Sequence, residues 1–217
     1  TATTTANITK KDMTVTAVSS GKVYDATVIA STTLSSSDKV SGDLVTYNRT
    51  SSNFSDKNVG VAKTVTTGGI TISGADAPNY NLLNSTTTSV ADITPRFLVV
   101  TPTAVSKVYD SNTSAAISAL SSNVIAGDTI GTLGSASANF IDKNVGTGKL
   151  VTVNVIITPA IDNTNYTIPA TATTTANITK RTLTVSATGI DKVYDGNTGA
   201  NVNFTDNRLA GDTFTIA

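Results

Sequence analysis

Apolar and polar residues alternate in short runs along most of the chain, with the two-residue period of a half-buried β-strand. Residues 13–17 and 183–187 place every second side chain on an apolar face, and 151–155 and 172–178 do the same. Each run is bounded by Gly, Asn, Asp or Ser, which favour turns. The pattern predicts antiparallel strands throughout.

Composition strengthens this interpretation. The chain is rich in Thr, Ser, Ala, Val and Asn, whereas Glu and Gln are absent and Ala and Leu are the main strong helix formers. Because β-branched side chains suit a pleated surface, we predict an all-β fold. We expect this fold to consist of small tandem β modules, either β-grasp-like or immunoglobulin-like, in an extended rod-like array.

Internal repetition is the strongest feature of the sequence. The phrase Lys-Val-Tyr-Asp recurs at a constant interval of 85 residues, at Tyr24, Tyr109 and Tyr194. The decapeptide TATTTANITK occupies residues 1–10 and returns at 171–180. We therefore predict four segments: the tail strand of an upstream repeat at 1–7, complete repeats at 8–92 and 93–177, and the first half of a third repeat at 178–217. Because the first residue is not methionine, we expect the chain to be a piece of a longer array.

The repeats differ in length at two places. The segment from Gly-Asp to Phe-x-Asp-Lys-Asn gains one residue in the second repeat, and the segment from Asn-Tyr to the next Ile-Thr loses one. Since a one-residue slip inside a strand would reverse its faces, both places are predicted to be loops. In the second repeat Phe97 and Val99 occupy outer strand positions, which predicts a cover over that face.

The ordered phrases ITKRTLTV, KVYDGNT, GDT, FIDKNVGTGK and NYTI resemble the YDG repeat of bacterial secreted adhesins. That repeat is related to the MBG modules of large exoproteins of the filamentous-haemagglutinin type. The resemblance covers the whole chain. It implies β-rich stalk modules on the bacterial cell surface, with specific binding often located elsewhere in the protein.

Several function classes find no support in the composition. The formal net charge is zero and Lys and Arg do not cluster, so we predict no nucleic-acid partner. No apolar run approaches the roughly 20 residues of a membrane helix, so we predict no membrane insertion. His, Cys and Glu are absent, which removes the usual general bases and nucleophile pairs. We predict no enzyme activity, no catalytic residue and no cofactor.

The Lys-Val-Tyr-Asp phrase itself is either a binding site or a structural turn. We expect its tyrosines to pack inward and its aspartates to accept hydrogen bonds from the turn backbone. The third copy has Gly196 after the aspartate where the others have Ala26 and Ser111, which argues against a required positive φ. The residues concerned are Tyr24, Asp25, Tyr109, Asp110, Tyr194 and Asp195.

The Asp-Lys-Asn phrase places oxygen ligands two residues apart, a spacing that suits calcium. A lysine inside the triplet and the lack of a downstream acidic residue favour a capped turn instead, closed by Gly60 and Gly146. The weak calcium candidates are Asp56, Asn58, Asp142 and Asn144. A Lys-Asn isopeptide bond is a further alternative, although adjacent Lys and Asn cannot join.

Two other kinds of site follow from the sequence. Tyr80 and Tyr166 of the Asn-Tyr phrase could stack on a sugar, but one in-phase tyrosine per repeat is more typical of a core residue. Candidate glycosylation acceptors in Asn-x-Ser/Thr sequons are Asn48, Asn84, Asn112, Asn165 and Asn203, although such sequons arise easily by chance in this composition.

These observations lead to two hypotheses. In the first, the segment is a stiff, extended, non-catalytic stalk whose partners are neighbouring repeats of the same chain. In the second, the repeats themselves bind glycans of the host or matrix, or sister chains, and gain avidity from their number.

Overall fold

The computed structural model describes residues 1–215. These residues form strands and two short 3₁₀ helices, and none of them lies in an α-helix. The predicted all-β class is therefore confirmed. No helix within this part of the chain has the length and apolar character needed to cross a bilayer.

Residues 1–98 contain the strands β1 (Lys11–Met13), β2 (Thr16–Ser20), β3 (Lys22–Val23), β4 (Ser31–Ser35), β5 (Thr46–Asn48), β6 (Ser51–Phe54), β7 (Gly60–Gly68), β8 (Thr71–Ser73), β9 (Tyr80–Leu82), β10 (Thr86–Thr94) and β11 (Arg96–Phe97). Residues 99–215 contain β12 (Val100–Val105), β13 (Lys107–Val108), β14 (Ala116–Ser122), β15 (Leu133–Phe140), β16 (Gly146–Ile157), β17 (Tyr166–Thr167), β18 (Thr171–Thr179), β19 (Val185–Ile190) and β20 (Asn201–Asp206). The 3₁₀ helices are η1 (Ala77–Asn79) and η2 (Asn163–Asn165).

The chain divides into two compact units. Unit 1 comprises Thr1–Leu98 with Val124–Ile130 and Pro159–Ile168, and unit 2 comprises Val99–Asn123, Gly131–Thr158 and the chain from Pro169 onward. Two segments of the second sequence repeat thus belong to the same unit as the first repeat. The boundaries of the sequence repeats stay a prediction.

In unit 1 the main sheet has the order β3-β10-β7-β6. β10 pairs antiparallel with β7 and parallel with β3, where Ile93 lies opposite Lys22. Four two-stranded pairs complete the unit: β1-β9, β2-β4, β5-β8 and β11-β17. Met13, Val15, Ile70 and Tyr80 form one buried cluster.

The predicted strand at 13–17 is divided in two. β1 pairs parallel with β9, whereas β2 pairs antiparallel with β4. Between them, Thr14 N–H donates to the Asp38 carboxylate and Val15 N–H donates to Asn84 Oδ1. Side-chain acceptors replace the ladder there, so the strand changes partner while Met13 and Val15 stay fully buried.

In unit 2 the main sheet has the equivalent order β13-β18-β16-β15. Lys107 lies opposite Ile178 in the parallel pair, as Lys22 lies opposite Ile93 in unit 1. The alternation predicted at 151–155 and 172–178 is confirmed, because Val151, Val153 and Ile178 are at most 1% exposed. Phe140, Ala138 and Ala176 join them in one cluster.

The prediction that the extra residue of the second repeat lies in a loop is wrong. The pairing of β15 with β16 shifts register between Ser135 and Ser137, inside the strand. A β-bulge absorbs one residue there without reversing the buried face. The shorter segment after β17 does fall in a connection, at 168–170.

Two expectations about buried or covered faces are wrong. Phe97 and Val99 are 58% and 48% exposed, so nothing in residues 1–215 covers the outer face at these positions. The run at 183–187 has no buried face either. Between Val185 and Asp206 the third copy forms the hairpin β19-β20, and no other strand of the described residues pairs with this hairpin.

Candidate functional site

The Tyr-Asp turn begins from the short parallel strand that precedes it. Tyr24 N–H donates to Thr94 O at 2.9 Å, and Tyr109 N–H donates to Thr179 O at 2.9 Å. These bonds continue the β3-β10 and β13-β18 ladders by one residue. They fix the direction in which each tyrosine side chain leaves the sheet.

The aspartate of the turn accepts backbone hydrogen bonds in all three copies. Asp25 Oδ1 accepts from Thr27 N–H, Asp110 Oδ1 from Asn112 N–H and Asp195 Oδ1 from Asn197 N–H. The lysine of the same phrase pairs with each carboxylate at 2.7 to 2.9 Å. These polar groups stabilise the turn.

The residue after the aspartate has a positive φ in every copy, contrary to the inference from its variable identity. Ala26 has φ 63°, Ser111 has φ 62° and Gly196 has φ 79°. The left-handed region costs an L-residue roughly 1–2 kcal/mol. The first two copies tolerate this strain because the bonds to Asp25 and Asp110 hold the turn.

Replacing Ala26 with glycine should therefore stabilise the protein. We expect a gain of about 0.5–1 kcal/mol, since glycine removes the strain but adds some entropy to the unfolded chain. Urea unfolding followed by circular dichroism measures it. The buried Ala30, which has no positive φ, is the control, and Ala30→Gly should be destabilising. Equal effects of the two changes would contradict this account.

Tyr24 is fully buried, and its hydroxyl reaches the second repeat. The hydroxyl donates to the Asp128 carboxylate, with 2.9 Å to each oxygen. Lys57, from the first Asp-Lys-Asn phrase, donates to Asp128 Oδ1 at 2.8 Å. Its ammonium also lies 5.9 Å from the centre of the Tyr24 ring. We call Tyr24 and Lys57 the tyrosine–lysine clamp.

The carboxylate that the clamp holds belongs to a Gly-Asp turn. Gly42, Gly127 and Gly211 precede the three aspartates with φ of 95°, 94° and 90°. A Cβ at these glycines would have no atom within 4 Å, so a side chain would fit at each position. Glycine is favoured there because of the positive φ. This turn directs Asp128 toward the clamp.

Residues of the second repeat complete the surroundings of Asp128. Tyr166 Oη donates to Asp128 Oδ2 at 2.7 Å and accepts from Ile125 N–H at 3.0 Å. The rings of Tyr24 and Tyr166 meet edge to face, with centroids 5.6 Å apart. Asn165 Oδ1 accepts from Val59 N–H. We call Asp128, Asp162, Asn165 and Tyr166 the acceptor face of the second repeat.

The electrostatics favour an ionised Asp128. Burial by itself would raise the pKa of this carboxyl, whose side chain is 1% exposed. The hydrogen bonds from Lys57, Tyr166 and Tyr24 outweigh burial and hold its pKa below the ordinary value. Burial together with the Asp128 carboxylate raises the pKa of Tyr166 to about 12. The pKa shifts of the site therefore keep Asp128 ionised, Lys57 charged and the phenols of Tyr24 and Tyr166 protonated.

The same arrangement recurs in unit 2. Tyr109 Oη donates to Asp212 Oδ1 at 2.5 Å, and Lys143 Nζ lies 3.8 Å from the same oxygen. The Asp212 side chain is 21% exposed, so this copy is less closed than the first. Two consecutive Gly-Asp turns are thus each held by the clamp of the preceding repeat.

Tyr194, the third tyrosine of the series, is 93% exposed. The expectation that it packs inward is wrong for this copy, because hairpin β19-β20 alone offers no core to receive it. Tyr80 and Tyr166 are 4% and 5% exposed with their hydroxyls bonded. Their burial favours the core interpretation over a sugar-stacking platform.

The Asp-Lys-Asn residues serve the turn and the clamp. Asp56 Oδ1 accepts from Asn58 N–H and from Lys63 at 2.6 Å, and Asp142 does the same with Asn144 and Lys149. Gly60 and Gly146 begin β7 and β16 directly afterwards. Within residues 1–215 no group of three acidic side chains is placed to hold a metal ion.

Most candidate glycosylation sites already have structural partners. Asn165 is 1% exposed, so its amide is inaccessible to a glycan in this fold. Asn84 bonds both backbone groups of Val15, Asn112 accepts from Ser114 N–H, and Asn48 donates to Ser73 Oγ. Asn203 lies on the exposed strand β20.

Lys107 donates to Asn112 Oδ1 at 3.0 Å, which is the close Lys-Asn contact that an isopeptide bond would need. That reaction also needs a neutral amine. The Lys107 side chain instead pairs with the Asp110 carboxylate at 2.7 Å and donates to the backbone carbonyls of Asn112 and Ser114. The geometry favours a structural turn here.

A protein-family model for the YDG domain matches the chain twice, over residues 9–89 and 94–176. The chain belongs to the YDG-domain family. No curated protein and no solved structure matches it. Tyr24 and Lys57 lie in the first YDG domain and Asp128 lies in the second, so the clamp is a contact between two consecutive YDG domains.

Sequence reasoning missed the role of Asp128, Asp212 and the central lysines. The Gly-Asp phrase was recognised only as a marker of the repeat. Its recurrence in step with the tyrosine and the lysine was the available signal. The sequence does not show that Tyr24 contacts Asp128, because the two residues are 104 positions apart, which exceeds one repeat length.

Proposed function

We propose that this chain is a non-catalytic structural segment of a bacterial cell-surface adhesin, acting as a spacer that presents a distal binding region. One observation carries the proposal: the clamp of each YDG domain holds the Gly-Asp turn of the following sequence repeat, at Asp128 and again at Asp212. A contact repeated in this way suits an array that continues by adding identical domains.

The chemistry of the clamp supports a structural role. The Asp128 carboxylate accepts from two phenols and one ammonium, and its side chain is 1% exposed. A carboxylate bonded and enclosed in this way is poorly placed to meet a substrate, whereas it stabilises the join between domains. The extracellular location rests on the resemblance to adhesin repeats.

The spacer role is tested in a surface adhesin that carries this segment. Replacing the segment with an equal number of unrelated extracellular β domains should preserve adhesion, because a spacer contributes reach and not recognition. Deleting it without replacement should reduce adhesion. Loss of adhesion in the replaced protein, at equal surface display, would contradict the proposal.

A glycan array probed with the chain alone separates the spacer from a binding module. We expect no reproducible signal above that of an unrelated β domain. Reproducible binding to a defined glycan would favour the binding module and overturn the pure spacer.

A further inference from the structure

The first YDG domain carries its own acceptor face, formed by Asp43, Asp76, Asn79 and Tyr80. Tyr80 Oη donates to Asp43 Oδ2 at 2.6 Å and accepts from Val40 N–H, as Tyr166 does with Asp128 and Ile125. Asp76 Oδ2 accepts from Leu44 N–H at 2.8 Å, the bond that Asp162 makes with Thr129 at 2.7 Å. The two faces therefore share one internal geometry.

The two faces differ in what contacts them from outside. Asn165 is 1% exposed and bonded to Val59 N–H and Asn58, whereas its counterpart Asn79 is exposed. Asp128 is held by a second tyrosine and a lysine. Among the described residues the Asp43 carboxylate receives a hydrogen bond from Tyr80 and forms no ion pair.

We propose that the acceptor face of the first domain is a docking surface for the tyrosine–lysine clamp of another YDG domain, joined ahead of it in the same polypeptide. The incoming tyrosine hydroxyl and lysine ammonium would bind the Asp43 carboxylate. The amide of Asn79 would pair with the asparagine and backbone N–H that follow the incoming lysine, as Asn165 pairs with Asn58 and Val59.

Complementary chemistry selects this occupant. The face presents the Asp43 carboxylate and the Asn79 primary amide beside the Tyr80 ring, and the clamp offers two donors to a carboxylate and a ring edge. Both Gly-Asp turns that are held in this chain, at Asp128 and Asp212, contact a clamp from the preceding repeat. The proposed docking does not depend on the spacer role, because the domains of a glycan-binding array could be joined in the same way.

The identity of residues 1–10 with 171–180 allows a seamless test. Placing a second copy of residues 93–170 directly before Thr1 regenerates a complete copy of the second repeat, with a clamp at its Tyr109 and Lys143, ahead of the first domain. Hydrogen exchange of the Asn79 side-chain amide, followed by NMR, reports occupation of the face. We expect exchange about tenfold or more slower than in the original chain, and Asn165 is the internal reference for a buried amide.

The matched control is the same extended protein with Tyr109→Ala and Lys143→Ala in the added copy only. Asn79 should then exchange at the rate of the original chain. Equal Asn79 exchange in the extended and original proteins would overturn the proposal, as would slow exchange that persists in the control.

A second measurement leaves the added copy unaltered and remains decisive if the control variant misfolds. Asp43→Ala should lower the equilibrium constant for folding about tenfold more in the extended protein than in the original chain, because it removes the docked partner as well as the Tyr80 bond. An equal effect in both proteins would overturn the docking surface.

Discussion

Replacing Tyr24 with alanine should destabilise unit 1 by about 3–5 kcal/mol. Tyr24 is fully buried, packs edge to face on Tyr166 and donates to the Asp128 carboxylate. The change removes a large core side chain and leaves a buried carboxylate with one donor fewer. Urea unfolding followed by far-UV circular dichroism measures the loss.

The third copy of the same phrase provides the control. Tyr194 is 93% exposed, so Tyr194→Ala should leave the free energy of unfolding unchanged within experimental error. Equal losses at the two positions would show that the tyrosine acts within its own turn and not through the clamp. Loss of partner binding without loss of stability in Tyr24→Ala would instead assign a recognition role to the turn.

Replacing Asp128 with alanine should cost about 3 kcal/mol. The carboxylate is the shared acceptor of Tyr24, Tyr166 and Lys57, and its removal leaves two buried hydroxyls and an ammonium without this acceptor. Lys57 is 36% exposed, so water compensates part of its loss and limits the total. Thermal and urea unfolding of the full chain test this value.

Asp43→Ala is the matched control, because Asp43 occupies the equivalent turn and bonds Tyr80 in the same manner. In the original chain no clamp holds it among residues 1–215, so its replacement should cost clearly less than that of Asp128. A cost at Asp43 equal to the cost at Asp128 would mean that the clamp contributes nothing to stability.

Much of the local structure followed from the sequence because it depends on neighbouring residues. Two-residue alternation located the buried faces of β16 and β18, and the aspartate after each tyrosine capped its turn. The interval of 85 residues between the repeated phrases equals the interval between the first residues of the two YDG-domain matches, 9 and 94. These features need only the period of a strand and the hydrogen-bonding habits of Asp and Asn.

Other features depended on contacts that no local pattern contains. Tyr24 and Tyr194 share one phrase, yet one is buried and the other exposed, because burial depends on strands contributed later in each repeat. The positive φ of Ala26 was missed because residue identity is a poor guide where surrounding bonds hold a strained backbone. The inserted residue in β15 became a bulge, which sequence alone does not distinguish from a loop.

The most important contact that the sequence does not reveal is the one between Tyr24 and Asp128. The sequence supplied Tyr24, Lys57 and Asp128 at fixed positions in their repeats, but the contact joins different repeats. Repetition alone does not show whether a recurring residue contacts another residue of its own repeat or a residue of the next repeat. Tyr80 bonds Asp43 within one repeat while Tyr24 bonds Asp128 in the following repeat, although both pairs are Tyr-Asp.

A double-mutant cycle between Tyr24→Phe and Asp128→Asn tests most directly whether the clamp joins consecutive YDG domains. Tyr24→Phe keeps the ring and removes only the hydroxyl, and Asp128→Asn keeps the size and removes the charge. We predict a coupling free energy of about 1–2 kcal/mol for this pair, and additive effects for Tyr24→Phe with Asp43→Asn. Additivity within about 0.5 kcal/mol for Tyr24 and Asp128 would contradict the account.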